Sequence, residues 1–432
     1  MSVKHPRKKP LGSSQRLLPF AVTLALLFSL SPTQAREPKQ EPEPKSESEW
    51  VQAPVLVSCG GPFADWLAAV AAEARAQGRS EQALALLASL SPDPRVLAHD
   101  RSQAVFTQDW LTFAGRMVNA YRLRLGHEHL RDWASTFTQA KEEYGVPGPV
   151  ITAFWGLETD YGQVLGDFDT LRALATLAHD CRRSALFREQ LLAALELLDH
   201  GDLAAADLKG AWAGEIGQIQ LLPSDYLRLG TDGDGDGRVD LRASKADVIL
   251  TAARLLQDLG WRAGELWLEE VRIPEQLPWA EVGLYNRLPR ERWAELGVRA
   301  ADGSPLLADG IARAELPAAL LLPMGRHGPA FLAYPNMDVF LQWNQSLTYA
   351  TTAAYFATRL AGAEKVNPRT PDPGLSSEQM KQLQRKLKDL GHDVGKIDGI
   401  LGAKTRAAVR AEQLRRDFPA DAWPTPELLQ RL

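Results

Sequence analysis

From residue 63 onward apolar side chains recur at helical spacing. Trp66, Leu67, Val70 and Ala74 lie one, three and four positions apart, which lines up one buried helix face. Residues 79–90 repeat the pattern after Gly78, and Ser91-Pro92-Asp93-Pro94 breaks it. Further helices are predicted over 106–125, 129–144, 171–178, 184–200, 247–259 and 347–360. Another covers 150–162, VITAFWGLETDYG, with a mostly apolar surface, Pro149 suited to its first turn and Gly162 as its stop. Between 261 and 323 the periodicity weakens. Residues 271–274 and 283–285 read as short strands, and the apolar run 318–322 fits a strand or a helical turn equally. No repeat of solenoid length is present. The pattern predicts a mainly α protein.

Two segments stand apart from this body. Residues 36–54 hold mainly Pro, Glu, Lys and Ser, with too little apolar content to fold, and read as a disordered linker. Residues 365–374, with Pro368, Pro371 and Pro373, read as a second linker. One large domain, 55–364, lies between them, and a small three-helix domain, 375–432, follows. In the small domain Ser376 and Gln379 fit a capping box, and Leu375 and Met380 fit the staple that accompanies one. Met380, Leu383, Leu387 and Leu390 form its apolar stripe.

The N-terminus changes the picture of where the chain works. Lys4, Arg7, Lys8, Lys9 and Arg16 flank an apolar run over 17–30, followed by Ser31-Pro32-Thr33-Gln34-Ala35. This is the layout of a secretory signal, 1–35, and the run is short for a membrane span. No cysteine follows it to take a lipid, so the expected compartment is the periplasm. The chain's formal charge is -5, and those five bases with no acid leave about -10 on the remainder. Such a balance argues against nucleic acid as the partner. Cys59 and Cys181 are an even pair in an exported protein, which suits a disulfide, but two separate thiols fit the sequence equally.

Polar residues stand in unusual company at four places. Glu158 follows an aromatic, apolar run, where desolvation keeps a carboxyl protonated as a general acid requires; alone, it also reads as a helix-terminal acid with a surface partner. Residues 210–226, GAWAGEIGQIQLLPSDY, combine glycines with Gln218 and Gln220. Asp232, Asp234 and Asp236 take the first, third and fifth positions of an EF-hand-like calcium loop, with Gly237 at its turn and Arg238 placed to offer a carbonyl. Position twelve is Ala243 where that loop needs a bidentate Glu, so Asp247 is the residue left to close a longer loop. The fourth place is 334–355, with Trp343, Asn344, Gln345, Ser346 and Tyr349 close together.

These stretches, in this order, closely resemble the B-type lytic murein transglycosylases of Gram-negative bacteria, from about Cys59 to Ala363. The resemblance includes 63–66, 97–106, GLETDYG, LRALATLAHDCRRSALF, GAWAGEIGQIQLLPSDY, the acidic loop with Gly260-Trp261 behind it, and QWNQSLTYA. The tail resembles a small peptidoglycan-binding module through Leu387, Leu390-Gly391, Gly395, Asp398-Gly399, Gly402, Thr405, Ala408-Val409 and Gln413. The resemblance implies a lysozyme-like catalytic domain with structural Ca2+, acting on peptidoglycan as a monomer. Cell-wall synthesis or division proteins are its candidate partners.

The family cleaves the MurNAc–GlcNAc β-1,4 bond without water and leaves a 1,6-anhydro ring. Glu158 matches its catalytic acid, and Gln220, Asn344 and Tyr349 match substrate-contacting positions. Trp343 stands where Tyr is frequent and is expected to stack on a sugar. Asp160 is two residues away and faces differently on a helix, so it is poorly placed as a second carboxylate. Two residues depart from the family: Ala211 where Ser is usual, and Glu215 where Ala is usual. The first removes a hydrogen bond near Glu158, and the second is either a solvated helix residue or a perturber of Glu158. A hydrolytic muramidase and a non-catalytic wall-binding protein are the alternatives.

Overall fold

The computed structural model describes residues 58–101, 108–284, 286–308 and 313–432. The signal and first linker, and the 102–107 part of one matching stretch, lie outside the described residues. The body is helical. Helices Phe63–Ala76, Glu81–Ala88, Thr170–His179 and Ser184–His200 pack as one group. Helices Ala134–Tyr144, Gly148–Thr159, Lys245–Asp258 and Leu347–Leu360 form a second. One contiguous core joins them, with Trp155, Phe154, Tyr349 and Phe356 at its centre. The Gly148–Thr159 helix runs through this core and is buried from end to end, which is why its sequence is apolar on every side. No described helix is long and apolar enough to cross a membrane.

The predicted break near residue 126 is not there. Helices run Trp110–Met117 and Ala120–Asp132, and the break falls at Asn119, whose side chain accepts from Arg122 N at 3.0 Å as an N-cap. Gly126 sits mid-helix because a Cβ there would meet Leu360 and Tyr161 at 2.7 Å. A packing glycine and a breaking glycine look alike in a sequence.

The weakly periodic region is a small sheet domain. Five antiparallel strands follow the order Leu288–Pro289, Pro317–Leu321, Ala330–Ala333, Leu268–Arg272, Arg299–Ala300. The ambiguous apolar run is therefore a strand, but residues 283 and 284 are not. Val271, Trp293, Leu320 and Leu332 form the sheet's own core. Cys59 and Cys181 are bonded, with 5.2 Å between their Cα atoms. The bond ties the start of the first helix to the turn before Ser184–His200.

The tail has the three predicted helices, Ser377–Asp389, Ala403–Arg415 and Pro426–Arg431, and the capping box at Ser376 and Gln379 is formed. It does not hang free. Arg406 is half-buried and donates to Pro323 O at 2.7 Å, and Arg410 donates to Val282 O and Ala280 O at 2.7 and 2.6 Å. Residues 365–374, read as a linker, are strapped to the body: Val366 N donates to Tyr355 Oη at 3.2 Å, Asn367 N to Glu270 Oε1 at 3.0 Å, and Arg369 to Val271 O at 2.8 Å. Prolines mark the absence of helix, and that absence is compatible with a docked strand as well as a mobile one.

Candidate active site

Glu158 sits one residue before the end of its helix and is 4% exposed. Trp343 Nε1 donates to its Oε1 at 2.9 Å, and the Tyr349 hydroxyl donates to the same oxygen. Both come from the far end of the chain. Trp343 closes the Met337–Trp343 helix, and Tyr349 begins the Leu347–Leu360 helix, whose N-cap is Ser346. Two donors on Oε1 leave the transferable proton to Oε2. Burial pushes the Glu158 carboxyl up to about 7, and the two donors hold it back from going further. A neutral acid at neutral pH is what general acid catalysis needs.

The helix stops abruptly behind it. Asp160 and Tyr161 both adopt left-handed backbone, at φ 49° and 61°. Arg122 Nε donates to Asp160 Oδ1 at 2.5 Å, and the Tyr161 hydroxyl donates to Arg122 O at 2.7 Å. Gly156 leaves room for this return, since a Cβ there would meet the Tyr161 ring at 2.7 Å.

The 210–221 segment forms a compact looped ladder, with Ile216 bridging both Gly210 and Leu221. Gln218 ties this ladder to the Glu158 helix. Trp155 Nε1 donates to Gln218 Oε1 at 2.9 Å, and Thr159 Oγ1 donates to Gln218 O at 2.5 Å. Gln220 has φ 52° and is half-buried, its Nε2 donating to Gly217 O at 2.9 Å. Asn344 is half-buried beside Trp343, and its Oδ1 accepts from Ser346 N at 2.9 Å. Tyr349 is 1% exposed and its hydroxyl is held well above the usual range by burial. Trp343 differs from the expectation of a free platform. Its ring lies stacked on Phe154 at 4.1 Å and its N–H is spent on Glu158.

Sequence reasoning missed Arg122 and gave Gln218 no separate task. A charged residue on an otherwise ordinary helix carries no local signal, because the partner that defines it is 38 positions away. Glu215 is not solvated. It is 3% exposed, its Oε2 has no hydrogen-bond partner among the described residues, and burial, followed by the charge on Glu158, raises it to about 8.

In the acidic loop, carboxylate oxygens of Asp232, Asp234 and Asp247 lie within 4.8 Å of one another. Asp247 is 1% exposed and accepts from Gly233 N at 2.8 Å and Asp240 N at 2.6 Å. Burial raises its carboxyl, and Asp234 adds to the shift by like-charge repulsion. Asp236 is outside this group and accepts from Arg238 N at 2.9 Å, while the Arg238 side chain turns away to Gly201 O. Three converging all-oxygen ligands fit a hard cation such as Ca2+.

Residues 62–358 match the transglycosylase SLT domain, and residues 376–432 match the putative peptidoglycan binding domain. The membrane-bound lytic murein transglycosylase B of Escherichia coli is 30% identical over 157 residues, 36% of this chain. That match spans 43% of the relative's own length, less than half. SltB3 from Pseudomonas aeruginosa, in complex with NAG-anhNAM-pentapeptide, is 37% identical, with TM-score 0.79, over 86% of this chain and 99% of its own. E. coli Slt35 in complex with calcium shares the fold at 23% identity and TM-score 0.58, over 71% of this chain and 96% of its own.

Proposed function

The chain belongs to the family of the transglycosylase SLT domain, and from that premise we propose that it is a lytic transglycosylase of peptidoglycan. It cleaves the MurNAc–GlcNAc β-1,4 bond with Glu158 as its single catalytic group. The observation that carries this reading is the state of the three carboxyls at the site. Glu158 is buried and its carboxyl is raised to about 7, Asp160 is spent on Arg122, and burial favours the neutral form of Glu215. A conventional glycosidase needs a second, ionised carboxylate free to act as base or nucleophile; Asp160 is ionised but engaged by Arg122, and Glu215 is buried with no ion-pair partner of its own among the described residues.

Glu158 gives its proton to the bridging oxygen as the C1–O bond breaks. The substrate's N-acetyl group stabilises the developing cation. The Glu158 carboxylate then takes the proton of the C6 hydroxyl as that oxygen bonds to C1, giving the 1,6-anhydro end. Trp343 and Tyr349 orient the carboxyl, so the same oxygen performs both transfers. Gln220 and Asn344 are the substrate-binding groups. The deciding experiment is mass spectrometry of digested sacculi. Anhydro-muropeptides support the assignment, reducing-end muropeptides make the protein a hydrolytic muramidase, and no new products make it a binding protein.

Three further readings go with it. Ca2+ is held by Asp232, Asp234 and Asp247 and has a structural task, with no part in the proton transfers. The signal-like layout of residues 1–35 supports export to the periplasm. Residues 375–432 add wall affinity, as a module docked on the enzyme and not as a loose tether.

A further inference from the structure

Glu215 ends a tight turn that begins at Ala211. Ala211 N donates to Glu215 O at 3.0 Å, and Gly214 N donates to Ala211 O at 3.1 Å. The turn belongs to the ladder that carries Gln218 and Gln220, so it is fixed against the Glu158 helix. Within this cluster Ala211 offers only a methyl group, while Glu215 offers a buried carboxyl with one oxygen unpaired. Two charged groups lie near enough to act on that carboxyl electrostatically: Glu158, from the Gly148–Thr159 helix, and Arg183, at the start of Ser184–His200. Arg183 is committed to the buried Asp100 and lies over the Phe187 ring.

An ionised carboxylate with an unpaired oxygen in a dry site is costly. As a neutral acid the same group is a donor with one hydrogen bond still to make. The reaction creates the matching acceptor, because Glu158 becomes a carboxylate once its proton has left. We propose that Glu215 is a positioning residue for Glu158: an uncharged donor to the carboxylate that exists between bond cleavage and ring closure, directly or through one water. This rests on the reading of Glu158 as the catalytic acid. In the first half the C1–O4 bond breaks, its electron pair goes to O4, and O4 takes the Glu158 proton. In the second half O6 bonds to C1 and the O6 proton returns to Glu158. Glu215 keeps its own proton throughout. Burial and the Glu158 charge both favour that state.

The test compares wild type with Glu215→Gln, Glu215→Ala and Glu158→Gln on a soluble glycan oligomer, reading kcat and KM against pH, products by mass, and the thermal midpoint. Glutamine keeps an uncharged donor and is expected to hold kcat within about threefold. Alanine is expected to lower kcat about tenfold at unchanged KM and to move the basic limb of the profile up by about one pH unit. Wild-type kcat and limb in Glu215→Ala overturn the proposal. A loss in Glu215→Gln as large as in Glu215→Ala overturns it too, since the ionised group would then be the one that matters. Should Glu215→Ala not fold, Glu215→Met refills the volume without a donor and is judged by the same two outcomes. Activity retained in Glu158→Gln defeats the underlying assignment and is read independently of position 215.

Discussion

Arg122 and Asp160 form an ion pair at 2.5 Å, one residue past the helix that presents Glu158. The pair fixes the end of that helix and removes the neighbouring carboxylate from the chemistry. Asp160→Asn is therefore expected to leave the products unchanged while costing about 3 kcal/mol of stability, the low end for breaking a largely buried pair. Product masses and denaturant unfolding check the two halves. A switch from anhydro to reducing ends in this variant would show that Asp160 takes part.

Glu158→Gln keeps the shape and both incoming hydrogen bonds in reach but has no proton to give. Turnover is expected to fall at least a hundredfold, the lower bound for a general acid, with sacculus binding intact. Pull-down and muropeptide release from the same preparation separate binding from chemistry. Activity within tenfold of wild type would remove Glu158 from its role.

Tyr349→Phe deletes one of the two donors on Glu158 Oε1. Those donors favour the charged form, so losing one raises the Glu158 carboxyl further. The basic limb of kcat/KM is expected to move upward by about one unit, with about a tenfold loss in rate from the misaligned acid. A pH–rate profile on soluble glycan is the measurement, and an unmoved limb would contradict the geometry.

The fold itself carries a pH signature. Glu158 and Glu215 are raised from about 4.5 to about 7 and about 8 in the folded protein. Between those values the folded state binds more protons than the unfolded one. Their contribution is thus complete below about pH 4.5 and is lost as pH rises through 7 and 8. The thermal midpoint is expected to fall from about pH 4.5 to about pH 8, and to fall less steeply in Glu215→Gln. Equal slopes in the two proteins would refute the assignment of the effect to Glu215.

Calcium is expected to raise the thermal midpoint by mass action on the native state. Asp234→Ala with Asp247→Ala should abolish the rise, and Asp236→Ala alone should leave most of it, because Asp236 is outside the converging group. A millimolar titration against a chelated control is sufficient. No shift in wild type ends the metal reading.

What the sequence made legible follows from the range of the forces involved. The Ser376–Gln379 cap and the stripe of Met380, Leu383 and Leu387 are local, and the structure repeats them, but Leu390, counted in the stripe, caps the helix and is exposed. The burial of the Glu158 helix was readable too, because a segment apolar on every side has nowhere else to go. Trp343 was not readable in the same way. Whether an indole lies open to a sugar or spends its N–H on Glu158 depends on a partner 185 residues away. The docking of the tail was hidden for a related reason. Arg406 and Arg410 look like ordinary helix-surface bases until carbonyls of 280, 282 and 323 meet them.

The Cys59–Cys181 bond has a mechanical consequence. It sits just before the Phe63–Ala76 helix, and it reaches across to the turn whose Arg182 and Arg183 hold Asp100. Tension applied through the preceding chain therefore does not peel the Phe63–Ala76 helix turn by turn from its free end. The load passes through the sulfurs into the interior of the helical group, in a direction that has to shear packed helices. An enzyme held by its leading segment while it works on a stretched polymer would be gripped at a covalent cross-link.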